Sequence, residues 1–289
     1  MIGFLNIYKP SGITSNAVVQ KLKKKFHIGK IGHMGTLDPL ACGVLPIAIG
    51  KATRMFDYSL NKTKRYTAIF DFGYTTDTLD VEGVRTNENG RIPTQEELLE
   101  ASKKLLGSID QIPPLYSAKC VNGRRAYDLA REGVEFELKP KNITIYQLDL
   151  IEKISDSQYK FDIVCSSGTY IRAIARDLGE LCGTYGCMSY LERTETGTFL
   201  KDNTIELDKL LDLNSCDDYV ISPVDAFNNF DRFEVNKDIM IDLLNGKKPK
   251  CLTFVNPTFV MCGDEIIGVA KCNTNELIID TFLYEQKEN

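Results

Sequence analysis

The chain has 289 residues, 43% of them apolar, and a net charge of −5. That length exceeds the usual single domain, so a main domain of about two hundred residues with a small one behind it is expected. No run of eighteen apolar residues occurs, and the amino terminus enters directly into the strand-like Phe4-Leu5-Asn6-Ile7-Tyr8, which predicts neither a membrane span nor a signal peptide and hence a cytoplasmic protein. Nine cysteines, an odd number with no C-x-x-C pair, point to reduced thiols packed as small apolar residues rather than to disulfides or a zinc site.

Charge is spread unevenly. Residues 1–70 hold eleven Lys and Arg against two acids, Asp38 and Asp57, a net +9 that leaves −14 for the remainder. A front that is basic and a back that is acidic suit a polyanion approaching from one side, because phosphate attraction falls off within about 10 Å in physiological salt. A solvated, lysine-rich helix face would give the same counts.

After the first strand, Thr14 or Ser15 can cap a helix through Val18, Leu22 and Phe26, with Gly29 beyond its end. This helix delivers the chain to Gly32-His33-Met34-Gly35-Thr36-Leu37-Asp38-Pro39-Leu40-Ala41-Cys42-Gly43, a glycine-rich segment around one carboxylate. Pro39 fixes the backbone after Asp38 and biases Asp38 itself to extended geometry. A carboxylate so held is a candidate nucleophile or base; Asp-Pro beside Gly is also ordinary turn chemistry. Tyr66 to Phe72 reads as a strand, Asp71 to Gly90 as a hairpin or loop, and Thr94-Gln95-Glu96-Glu97 as a capping box opening a helix that ends near Gly107. Arg124 to Arg131 looks like a short basic helix closed by Gly133. Strands follow at Ile143 to Leu150 and Tyr159 to Cys165, then a helix with the stripe Ile171, Ile174, Leu178 and Leu181 and with Arg172 in its first turn. Asn203 to Phe230 reads as a helical connector with a turn at Ser222-Pro223. Beyond it come a helix, Lys237 to Leu244, and short strands at 252–255, 258–262, 265–271 and 277–283. Strands and helices mix without a regular βαβ repeat, so the expected class is α+β with a mixed, largely antiparallel sheet.

The segment around Asp38 closely resembles the catalytic motif of the TruB family of tRNA pseudouridine synthases, G-H-x-G-x-L-D-P-x-A-x-G. Further pieces follow in the family's order: Lys9-Pro10-Ser11-Gly12-Ile13-Thr14-Ser15, Lys64-Arg65-Tyr66, Pro113 to Ala118, Gly168-Thr169-Tyr170-Ile171-Arg172 and Leu191-Glu192-Arg193-Thr194-Glu195-Thr196-Gly197. The resemblance implies a catalytic domain over 1–230 with an RNA-gripping thumb at about 119–143, and a small β-rich PUA-like domain over 231–289. It implies an isomerase that turns the T-loop uridine of tRNA, position 55, into pseudouridine with no metal or organic cofactor. Asp38 is the implied nucleophile, with attack at C6 or C1′ and a base role at C2′ all open. Arg172 is its implied partner through paired hydrogen bonds, and Tyr66 the ring that stacks on the uracil and can take the C5 proton.

The same resemblance implies that Tyr170 and Leu191 complete the apolar walls, that His33 fills the space left by the flipped base, and that Lys9 supports the loop or a phosphate. Lys119, Arg124, Arg125 and Arg131 supply phosphate contacts from the thumb. There the chain departs from the family's S-A-x-K-x-x-G: the lysine position holds Cys120. A monomer acting on the T arm without a guide is expected, because long basic extensions are missing and a thumb is present. The rivals are a guide-RNA-dependent enzyme of the same group and a non-catalytic tRNA-folding factor; a metal hydrolase fails on ligand spacing.

Overall fold

A computed structural model describes residues 1–60, 63–117, 119–121, 123–134, 136–250, 257–273 and 275–285. The main elements in chain order are β1 (Gly3–Lys9), α1 (Ser15–Lys25), β2 (Ile31–His33), β3 (Cys42–Ile49), β4 (Lys64–Phe72), α2 (Gln95–Leu105), β5 (Gly107–Gln111), α3 (Ala126–Arg131), β6 (Lys141–Lys153), β7 (Gln158–Cys165), α4 (Ile171–Leu181), β8 (Gly186–Thr196) and β9 (Ile205–Glu206). They build one sheet in the order β9-β1-β3-β8-β4-β7-β6-β5, with β2 paired to β3 and Phe199–Leu200 to β8. The β1–β9 and β3–β8 pairs are parallel and the other pairs antiparallel, so the α+β class with a mixed, largely antiparallel sheet is what forms.

Alternation along each strand sorts the sheet into two faces. Leu5 and Ile7, Leu45 and Ile47, Tyr66, Ala68 and Phe70, Tyr159, Phe161 and Ile163, and Leu191 share one core with Val18 and Leu22 of α1, Leu98 and Ala101 of α2 and Ile174 and Leu178 of α4. Thr14 caps α1 by accepting from the Ala17 amide at 3.0 Å, which leaves Ser15 free for another task. The Thr94–Glu97 capping box forms in both directions.

Three sequence expectations change. Leu181 is 42% exposed, because it falls in the last turn of α4 beyond the core stripe. Arg124 and Arg125 lie on a two-residue strand paired with Cys120 and Val121, so the thumb helix starts only at Ala126. Ser222 begins a short helix, Pro223–Ala226, by capping the Asp225 amide.

The small C-terminal β-rich, PUA-like unit contains β10 (Asp231–Glu234), α5 (Lys237–Leu244), β11 (Thr258–Cys262), β12 (Glu265–Asn273) and β13 (Glu276–Phe282), in the order β10-β11-β12-β13. The strand expected at 252–255 lies outside the described residues. This unit docks on the face of β1 and β3 opposite the first core. Phe4 of β1 meets Phe199 at 5.8 Å and Phe227 at 5.5 Å, Phe227 meets Phe230 at 5.2 Å, and Phe230 meets Phe259 of β11 at 5.4 Å. The rings sit in a second core with Val44, Val269 and Leu283. Among the described residues no helix is long and apolar enough to cross a membrane.

Phe227→Ala removes the central ring of this run and should cost about 3–5 kcal/mol of unfolding free energy. Urea denaturation followed by far-UV dichroism checks it; a loss below about 1 kcal/mol would show that the aromatic run does not join the two units.

Candidate active site

The loop from Gly35 to Leu40 has no regular secondary structure, yet each of its carbonyls has a partner. Arg193 Nη2 and Nη1 donate to Gly35 and Thr36 at 3.3 and 3.4 Å, and Ser15 Oγ donates to the Leu37 carbonyl at 3.0 Å while accepting from the Leu37 amide at 2.9 Å. The Ala41 amide donates to Asp38, the Gly12 amide and Lys9 Nζ to Pro39, and Ser11 Oγ to Leu40. A buried carbonyl left unpaired costs the full desolvation of the group, so this set of partners fixes the loop without help from a ladder. Gly43 ends it with φ +102°; a Cβ there would stand 2.3 Å from the Arg193 carbonyl, so only glycine lets β3 and β8 approach.

Asp38 emerges from this loop with its side chain 35% exposed, and Arg172 Nε lies 2.9 Å from its Oδ2. The pair that the sequence suggested is therefore present, but not as a fork. Nε makes the ion pair without good hydrogen-bond alignment, Nη1 donates to the Thr78 carbonyl at 2.7 Å and Nη2 to the Tyr116 carbonyl at 3.1 Å. The expected bidentate contact is replaced because those two carbonyls claim the outer nitrogens. Nη1 also lies 3.5 Å from Oδ2 of Asp80, whose side chain, like that of Arg172, is 7% exposed. Burial raises the Asp80 carboxyl above the usual carboxylate range, opposed by the Thr78 hydroxyl and by Arg172.

Asp80 escaped the sequence reading. It lies in Thr76-Asp77-Thr78-Leu79-Asp80-Val81-Glu82-Gly83, whose three acids among turn residues suggest a solvated loop. Only the tertiary fold turns the middle one inward, where Oδ1 accepts from Thr78 Oγ1 at 2.7 Å and from the Glu82 amide at 3.2 Å. Arg193 stands in the Leu191 to Gly197 motif with no task assigned to it, and its flanking residues Glu192 and Thr194 give no local signal that it is buried.

Tyr66 and Arg193 are register partners on β4 and β8 and face the same side. Burial pushes the Tyr66 phenol up to about 12, against the pull of the Arg193 guanidinium that is hydrogen-bonded to its hydroxyl. Arg193 is fully buried, and its Nε donates to the Val44 carbonyl at 2.8 Å. Tyr170 precedes α4, its backbone held by Gln111 at 2.8 and 3.1 Å, and burial raises its phenol while Ser117 and Arg172 act to lower it. Leu191 is buried in the floor beside them. His33 is half-buried on β2; burial, and then Arg193, lower its imidazole below the ordinary range, so the ring is neutral near pH 7.

The remaining candidates stand apart. Lys9 is fully buried, its ammonium spent on the carbonyls of Pro10, Ile13 and Pro39, so it braces the loop and has no surface to offer a phosphate. In the 119–143 segment, Lys119 donates to the Lys139 carbonyl at 2.6 Å and Arg124 pairs with Glu132 at 2.5 Å. The Arg131 guanidinium lies over the Tyr127 ring, 4.3 Å from its centroid. The side chain of Arg125 lies outside the described residues. Cys120 is exposed on the two-residue strand that pairs with Arg124 and Arg125.

Comparison with known proteins agrees with this arrangement. The N-terminal domain of the TruB family pseudouridylate synthases matches residues 23–171, and the C-terminal domain of tRNA pseudouridylate synthase B matches residues 172–227. The chain belongs to the TruB family of pseudouridylate synthases. It is 45% identical over 246 residues to the tRNA pseudouridine synthase B of Clostridium novyi (strain NT), 85% of this chain and 84% of the relative. With that of Caldanaerobacter subterraneus subsp. tengcongensis (strain DSM 15242 / JCM 11007 / NBRC 100824 / MB4) the figure is 40% over 247 residues, 85% of each. An H/ACA RNP bound to a substrate RNA containing 2′-deoxyuridine superposes with a TM-score of 0.72 at 21% identity, over 99% of this chain and 86% of that one. A Cbf5–Nop10–Gar1 complex gives 0.71 at 24%, over 96% and 79%. These two show the fold, through the small β-rich end as well as the large sheet. As a pseudouridine synthase the chain is an isomerase.

Arg172→Lys, with one ammonium in place of three differently directed N–H groups, should lower the single-turnover rate about 100-fold, and Asp80→Asn about as much. Rapid-quench measurement of both variants tests this; a rate within threefold of wild type for either would remove that residue from the support of Asp38.

Proposed function

We propose that this chain converts uridine 55 in the T loop of tRNA to pseudouridine, without a guide RNA, using Asp38 as the nucleophile on a uridine flipped out of the loop. The observation that carries the reading is the 2.9 Å contact between a partly exposed Asp38 carboxylate and a buried Arg172, beside Tyr66, Tyr170 and Leu191. A charge-balanced carboxylate at the edge of an apolar floor can bond to the nucleoside while the detached base is kept from water.

The N1–C1′ bond breaks, the uracil turns, C5 bonds to C1′, C5 gives up its proton and N1 gains one. Atoms and electrons balance with no external oxidant or hydrolytic water. Asp38 splits the exchange into two steps through its adduct, and Arg172 holds its oxygen in place during both. With its phenol held near 12, Tyr66 is a neutral stacking ring at physiological pH. The Arg193 guanidinium at its hydroxyl is the group that stabilises a phenolate if that oxygen takes the C5 proton. A neutral His33 is suited to stack where the target base has left, since extrusion costs a few kcal/mol of stacking.

In this reading residues 1–230 form the catalytic domain and 231–289 a PUA-like domain, and the enzyme works as a cytoplasmic monomer on the T arm. Lys119, Arg124 and Arg125 grip the RNA from the thumb, Lys119 and Arg124 exchanging their present partners for phosphates. Electrostatics support the approach: Lys21, Lys23, Lys24 and Lys25 are exposed on the outer side of α1, and among the described residues none of them has an acidic partner.

Tritium release from C5-labelled uridine in a T-arm hairpin tests the proposal. Wild-type protein should release the label, whereas Asp38→Ala, or a hairpin lacking the target uridine, should reduce release to background with binding retained by the variant. Folded, RNA-bound wild type that releases nothing from the hairpin or from intact tRNA would overturn it in favour of a guide-dependent enzyme or a binding protein.

A further inference from the structure

Lys64 opens β4 two residues before Tyr66 and therefore points to the same face of the sheet. Among the described residues its ammonium makes no hydrogen bond or ion pair, and the groups acting on it are Arg193, Lys141 and the thiol of Cys165. The Cys165 thiol is itself pushed up to about 11 by burial, so it is uncharged near neutral pH. Two cations, Lys141 of β6 and Arg193 of β8, thus act on the Lys64 ammonium of β4, and no carboxylate is among the groups that do. A half-buried ammonium without a counterion is unfavourable and persists only where something offsets it.

Two glycine turns bound the cluster. A Cβ on Gly35 of the Asp38 loop would lie 3.6 Å from Lys64 Nζ and 3.7 Å from Arg193 Nη1. A Cβ on Gly168 would lie 1.8 Å from Lys141 Nζ, which contacts the Gly168 carbonyl at 3.4 Å. Both glycines have positive φ, +115° and +81°, so at each turn the backbone approaches an ammonium group with no side chain between them. The Gly168 turn leads within four residues to Arg172, and Gly35 within three to Asp38. The unbalanced charge therefore belongs to the edge of the reaction site.

We propose that Lys64 and Lys141, backed by Arg193, form an anion site that takes a backbone phosphate flanking the uridine held on Tyr66. This rests on the RNA-modifying reading above and assigns the cations that reading left unused. A phosphodiester is the fitting anion because it is covalently tied to the base being presented, and two ammonium groups with one buried guanidinium are a phosphate-binding set. Before RNA arrives the site is under self-repulsion, so the same residues that weaken the free protein strengthen the complex.

Binding of full-length tRNA to wild type, Lys64→Met, Lys141→Met and the double variant is measured against salt concentration. Each single change should raise Kd about tenfold at 0.1 M salt and flatten the log Kd against log salt slope by about 0.7–0.9. Lys64→Arg should restore most of both. A second readout separates site from scaffold. Burial, and then Arg193, push the Lys64 ammonium down to about 8 from 10.5, so in RNA-free protein its charge opposes folding below about pH 8 and the penalty fades towards 10.5. Lys64→Met should accordingly raise Tm at pH 7, by an amount that shrinks between pH 8 and 10.5. An unchanged slope in the double variant overturns the anion site, as does a fall in Tm with the slope unaltered. Tritium release by wild type, run in parallel, tests the underlying reading: release with an unchanged slope leaves that reading standing and overturns this one, and a flattened slope without release does the reverse.

Discussion

The guanidinium of Arg172 joins four separate stretches of chain: the loop at Asp38, the turn at Thr78 and Asp80, the segment at Tyr116, and α4, which carries it. A buried cation loses its hydration and is tolerated only when its donors are directed at acceptors. That requirement acts as a constraint on everything around it. The 71–90 excursion must fold back to present one carbonyl and one carboxylate, and Tyr116 must present its carbonyl from the chain leading into the thumb. Asp38 then receives the nitrogen that remains. The contact reads as a catalytic pair, but physically it is the last vacancy in a tightly occupied coordination of a charged plane.

Arg193 plays the complementary part from below. Its nitrogens donate to the carbonyls of Gly35, Thr36 and Val44, and its charge faces the Tyr66 hydroxyl. One arginine thus orients the acid from above and the other sets the height of the loop bearing it. Both are surrounded by carbonyl oxygens, so each is held in several directions at once, as preorganised sites require. The loop itself needs no regular structure, because the Arg193 guanidinium, serine hydroxyls, a lysine ammonium and backbone amides account for its carbonyls.

Much of this was legible in the sequence because it rests on local rules. The capping box at Thr94, the alternation at Tyr159 to Cys165 and the stripe of α4 are set by short-range periodicity and survive into the structure. The motif order located Asp38, Tyr66 and Arg172, and the fold brings Asp38 and Arg172 into contact. What sequence could not supply were facts decided by long-range geometry. Asp80 has the same neighbours in sequence as a solvated acid and is buried only because β8 pairs beside it at Met188. Lys9 belongs to a motif whose chain packs against the Asp38 loop, yet it lies on the inward face of β1. Arg124 sits in a helix-forming run but is drawn into a two-residue ladder with Val121. In each case the competing term was a tertiary contact with a distant stretch, which no window of residues contains.

The place of β1 in the sheet carries one further consequence, for the order in which the protein can be made. This strand precedes the rest of the sheet in the chain, but its partners are β3, then Ile205 and Glu206, and at Phe4 the backbone of Ile221. Contacts so far apart in sequence close late, since the entropy of the intervening loop must be met before they return anything. Lys9 and Ser15, which anchor the Asp38 loop, hang on that strand and the helix after it. The Asp38 loop therefore lacks its Arg172 and Arg193 contacts until those residues have been made, and its full set of partners arrives with completion of the sheet rather than with synthesis of the loop itself.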